Sequence, residues 1–227
     1  MCFSPEMDVA AAVVVGVVAV DTLRRVRNPT EIALAALPAV FAVHQLIEAF
    51  VWWGLQGKVS AALGDAATRG YLTIAWLLPV LVPIAVLAIE PPARRRLGAV
   101  FVVVGAGVTT ALAWATVQGP ITASIKGHHV SYRVDLHRAD LVIALYVLAT
   151  CGPMLLSAHR HVRIYGLVNL PVVGALAWLN QSGFVSLWCV WAAVTSVAIN
   201  LHLRYDPADG QGARSASGTT PMPSGRR

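Results

Sequence analysis

The chain has 227 residues, 57% of them hydrophobic and only 12% charged, with a formal net charge of +6. Soluble domains carry about 25% charged residues, and here the charges collect in short clusters between long apolar stretches. That pattern excludes a disordered chain, a coiled coil and a disulfide-stapled secreted module. It predicts an all-α membrane protein with several spans.

A helix crossing a ~30 Å hydrocarbon core needs about 20 mostly apolar residues. Seven segments qualify, at roughly 5–23, 31–55, 71–89, 97–117, 139–157, 162–180 and 184–203. Their apolar runs are unbroken rather than alternating, which favours a seven-transmembrane helix bundle over a β-barrel. The first span has the shortest apolar core, Val9 to Val20, with Asp8 and Asp21 at its margins. It does not read as a signal peptide, because Glu6 and Asp8 stand where basic residues should precede the apolar run.

Arg24, Arg25 and Arg27 follow the first span; Arg94, Arg95 and Arg96 follow the third; Arg160 and Arg163 follow the fifth; Arg204 follows the seventh. The alternate loops carry Lys58 and Arg69, then Lys126, Arg133 and Arg138, then no basic residue between spans 6 and 7. Basic residues mark cytoplasmic loops, so the N-terminus is expected outside and the C-terminus in the cytoplasm, in a multi-pass protein of the cell (cytoplasmic) membrane. These anchors suit the anionic headgroups of a lipid bilayer, not nucleic acid.

The second span carries the most informative stretch, Phe41 to Trp53, with His44, Gln45 and Glu48 inside it. His44 and Glu48 are four residues apart and share one helix face. At 1.5 Å per residue, Glu48 lies about 10 Å and His44 about 16 Å below the outer end at Leu55. A charge at that depth costs on the order of 2.5–3.5 kcal/mol, so it needs a partner, a proton, a metal or water. The pair can serve as metal ligands, relay a proton, or act catalytically as a buried base and its orienter. The plainer alternative is a protonated Glu48 that merely glues helices together.

Between spans 4 and 5 the chain alternates, with Ile121, Ala123 and Ile125 on one arm and Val130, Tyr132 and Val134 on the other. Such period-two runs around a Gly-containing connection, Lys126 to His129, predict an extracytoplasmic β-hairpin at about 119–138. It would form a small lid over the outer ends of the helices; an irregular loop is the alternative. Cys2, His128 and His129 are then candidate further ligands on the same side as His44 and Glu48, for a transition metal such as zinc or copper. Trp52, Trp114, Tyr146 and Asn180, with Gln45, would line an outward aromatic and amide pocket for a small-molecule ligand. Cys151 and Cys189 read as small buried hydrophobes. His159, His161 and His202 read as headgroup-contacting residues at the cytoplasmic face. Residues 1–205 make the membrane domain, and 206–227, rich in Gly, Ser, Thr and Pro, read as a disordered cytoplasmic tail.

The only lysines, Lys58 and Lys126, lie in outer loops, so no intramembrane lysine is present for a retinal Schiff base. The paired His-x-x-x-His of alkaline-ceramidase-type hydrolases is missing from the last span. The start Met1-Cys2-Phe3-Ser4, His44-Gln45-x-x-Glu48-x-Phe50-x-Trp52 and Gly127-His128-His129-x-x-Tyr132 together resemble an uncharacterised bacterial membrane-protein family, over most of the chain up to about residue 204. The resemblance implies a seven-helix bundle and carries no established activity. Three functions are compatible with these residues: a metal- or small-ligand-binding protein, a proton-coupled transporter, and a membrane sensor or assembly factor acting through its tail.

Overall fold

The computed structural model describes residues 4–127, 129–179 and 184–205, with side chains for all of these except 176–190 and 205. Within them, a helix stands over each of the seven apolar segments: α1 (Pro5–Arg24), α2 (Ile32–Leu55), α3 (Ala61–Ile89), α4 (Pro92–Gln118), α5 (Ala139–Leu155), α6 (Arg160–Leu179) and α7 (Phe184–Tyr205). Between α4 and α5 lie two antiparallel strands, β1 (Ile121–Lys126) and β2 (His129–Val134). Among the described residues, three helical stretches are long and apolar enough to cross a membrane: Pro29–Leu55, Ala61–Ile89 and Pro92–Gln118.

Local chemistry sets the helix starts. Ser4 caps α1, its hydroxyl accepting from the Met7 N–H at 3.3 Å, with Pro5 in the first turn. A short 3₁₀ turn, Pro29–Glu31, leads into α2, and the Glu31 carboxylate accepts from the Arg27 N–H at 2.9 Å and the Asn28 N–H at 3.4 Å. Ser60 caps α3 in the same way as Ser4 caps α1. α3 begins ten residues before the predicted span, because its first turns are amphipathic. Ala67 and Tyr71 from this end of the helix are buried beneath the hairpin.

α1 packs on α2 and α7, α3 on α2, α4 and α5, and α6 on α5 and α7. Two apolar clusters form the core. One joins Val51, Trp52, Tyr71, Leu72 and Trp76 to Val130 of β2. The other joins Leu34, Leu37, Phe41, Leu78, Val82 and Val86 toward the arginine-rich end. On α2 the residues between these clusters are His44, Gln45 and Glu48, all buried. α4 sits at the margin, and only Gly105 and Val108 of its residues are buried.

The hairpin has the predicted parity. Ile121 pairs with Val134, Ala123 with Tyr132 and Ile125 with Val130, which puts the apolar residues of both arms on one face. That face packs on the cluster of Val51, Trp52, Tyr71, Leu72 and Trp76. The connection is shorter than expected. Lys126 and His129 pair with each other as the last rung, leaving only 127–128 between the strands, and Gly127 supplies the positive φ of 59° that such a tight turn favours.

Candidate functional site

Three rings link the middle of α2 to the hairpin. The His44 imidazole stacks on the Tyr71 ring with centroids 4.0 Å apart and an interplanar angle of 11°. Tyr71 in turn stacks on Tyr132 of β2 at 4.7 Å and 16°. His44 Nε2 also lies 3.0 Å from the Tyr71 carbonyl oxygen. A carbonyl only accepts, so Nε2 carries the proton in the neutral ring and Nδ1 is the basic nitrogen. One helical turn away, Glu48 is completely buried, with Gln45 between them at 1% exposure.

A second carboxylate belongs to this layer. Asp8 of α1 is 1% exposed and lies on the stripe Pro5, Asp8, Ala12, Val15, Ala19, Thr22 that α1 buries. The spacing of three and four is that of one helix face. A Cβ on Gly16 would sit 3.9 Å from the Ala42 Cβ, which sets the two helices in register. Eight residues along each antiparallel helix from that pair come Asp8 and Phe50, so Asp8 is within about 3 Å of Glu48 in height. The sequence reading left Asp8 at the margin of a span; its signal was the small-residue stripe it heads. Asp8, Gln45, Glu48, Tyr71 and Tyr132 each engage another group of the chain. The Trp52 indole N–H is buried with no partner among the described residues.

The other sequence candidates fall in several places. Cys2, His128 and Asn180 lie outside the described residues, as does the tail at 206–227, and the side chains of Trp178, Trp188 and Cys189 are not described. His129 is a strand residue of opposite parity to Tyr132, so it faces away from the ring stack. Trp114 is 66% exposed on α4 and takes no part in the polar layer. Tyr146 donates its hydroxyl to the Ala75 carbonyl at 2.9 Å, bracing α5 against α3. Trp52 packs under the hairpin with Tyr71 and Trp76. Among the described residues, no three His, Cys, Asp or Glu side chains are grouped to hold a metal ion.

A cavity lies in the other half of the bundle. A space of ≈ 90 Å³ runs between α2, α3, α5, α6 and α7, walled by Phe41, Leu78, Val82, Met154 and Ile199 among others. Along one side Asn169 donates to the Cys151 sulfur at 3.1 Å and accepts from the Trp191 indole, and Tyr165 and Thr195 share a hydrogen bond. His161 and His202 stand at its arginine-rich end, ring centroids 6.1 Å apart, with His159 5.7 Å from His202. His202 is buried, which corrects its reading as a headgroup residue. The signal for this side was a repeat of polar residues at helical spacing, Tyr165 with Asn169 and Trp191 with Thr195.

No curated protein matches the chain. No solved structure matches it either. Residues 1–214 match a family of unknown function, DUF6629, and the chain belongs to that family.

Proposed function

We propose that the chain is a multi-pass protein of the cytoplasmic membrane, N-terminus outside and C-terminus inside, that binds a small ligand in the polar layer beneath its hairpin. The single observation that carries this reading is the burial of Asp8, His44, Gln45 and Glu48 between two apolar clusters. Ionisable groups inside a bundle of this composition are costly and typically mark ligand or ion sites. The lipid-facing surface has support of its own. Val13, Val17, Val103, Val117, Ile143 and Leu167 are all more than half exposed, as they would be on helices whose outer faces meet lipid.

The first ligand to test is a divalent transition metal, zinc or copper. His44 Nδ1 and the Glu48 carboxylate would supply two donors of suitable chemistry, and the rest of the set would have to come from Cys2 or His128. Elemental analysis of the detergent-purified protein should find about one metal per chain, lost in His44→Ala and Glu48→Ala variants that remain folded. Wild-type protein loaded with zinc or copper and dialysed free of both would remove the metal from this reading.

A second reading, a proton-coupled carrier, is favoured by one further observation. The cavity from the arginine-rich half ends at Phe41, one helical turn from His44 and Gln45. The polar layer is thus close to being reached from the side opposite the hairpin. In proteoliposomes a carrier would show uptake driven by a pH gradient and abolished by Glu48→Gln, whereas a metal-binding protein would not.

A further inference from the structure

The cavity between α2, α3, α5, α6 and α7 stops short of the polar layer, and the ligand-binding reading above assigns it no occupant. It spans Trp191 to His202 of α7, eleven residues of helix and therefore about 16 Å. A volume of ≈ 90 Å³ spread over that length is a narrow slot, the shape of one alkyl chain rather than of a ring system. The polar groups beside it are already bonded to one another: Tyr165 to Thr195, Trp191 to Asn169, and Asn169 to Cys151. A ligand in the slot would have nothing to hydrogen-bond along its length, so its body must be apolar. The end is different. His161 and His202 close the slot at the start of α6, where Arg160 and Arg163 flank His161 in the chain, which favours a negatively charged head.

Interiors pack with few voids larger than a water molecule, and a void forfeits packing in proportion to its size. We infer that this slot binds one alkyl chain of an anionic amphiphile, the chain between Phe41 and Ile199 and the head at His161 and His202. The head is a carboxylate or a phosphate, and free fatty acid and membrane phospholipid are the two sources of that chemistry.

Tryptophan fluorescence tests the assignment, since Trp191 lines the slot. The full-length protein in detergent is titrated with a dibrominated fatty acid, and in a parallel arm with a phosphatidylglycerol carrying a dibrominated chain. Saturable quenching is expected in at least one arm, and which arm responds identifies the source. Ala198→Leu, which grows a side chain into the slot, should weaken that binding at least tenfold and raise the thermal midpoint. Val162→Phe, from the α6 wall, provides the same test if the first variant does not fold. His161→Gln with His202→Gln should weaken the acid about tenfold and leave a brominated alkyl alcohol unaffected. Non-saturable quenching in both arms overturns the inference, and so does quenching that the filled variants retain.

Discussion

Pro79 has no N–H to give the Ala75 carbonyl one turn back, and Pro83 likewise leaves the carbonyl of Pro79 without its helical donor. A neighbouring helix meets each place, with a hydrogen bond at Ala75 and a close backbone approach at Pro79. The Tyr146 hydroxyl donates to Ala75, and α4 approaches Pro79 through Gly105. A Cβ on Gly105 would lie 1.7 Å from the Pro79 oxygen, so nothing larger than hydrogen fits. Gly105→Ala should therefore destabilise the protein by about 3 kcal/mol, the upper end of overpacking costs. Gly107→Ala meets no atom within 4 Å and should be neutral or gain about 0.5–1 kcal/mol from helix propensity. Thermal unfolding in detergent measures both. At this scale the sequence was only half legible. Tyr146 was read as a pocket residue because its polarity was visible, while the carbonyl awaiting it belongs to another helix. His44 and Glu48 stood out because an apolar run makes an ionisable residue conspicuous; Asp8 did not, because it stands beside Glu6 near a helix start.

The hairpin was legible as an element, since alternation in both arms fixes which side chains share a face. That it would lie over the outer helix ends followed from its apolar face, but which helices hold it did not, because a two-stranded ribbon alone is marginal in water and the partners are supplied by α2 and α3. Aromatic pairs add about 0.5–1.5 kcal/mol beyond the area they bury, and Tyr132 contributes one such pair with Tyr71. Tyr132→Ala should raise hydrogen exchange of the 121–134 amides by about tenfold, whereas Tyr132→Phe, which keeps the stack, should leave it near wild type. Equal exchange in all three proteins would mean that the hairpin is held by its aliphatic residues alone. The polar side of the α5–α7 cavity was hidden for a different reason. Its hydrogen bonds run between helices, and the order in which helices neighbour one another is not written in the periodicity of any one of them.

For the molecule as a whole, the proposed orientation predicts a labelling pattern. Lys58→Cys and Lys126→Cys should react with a membrane-impermeant maleimide in intact cells, above the background of the parent chain. Arg96→Cys should react only after permeabilisation. The reverse pattern would invert the protein, and labelling of all three would argue against a membrane setting. The ends of the bundle are also tied to each other. The Asp21 carboxylate accepts from Arg25 at 2.9 Å, from Arg204 at 2.9 Å and from Asn200 at 2.8 Å, and Asn200 also donates to the Thr22 hydroxyl at 3.0 Å. Arg25 is made at nearly the same time as Asp21, but Asn200 follows it by 179 positions. At about 5–20 residues per second, a nascent chain waits on the order of 10–40 s before the last helix arrives to close the ring. Through that interval the Asp21 carboxylate has only Arg25 to satisfy it, so a chain stopped short of residue 200 would pack its first helix on the second yet lack the polar seam that joins the first helix to the last.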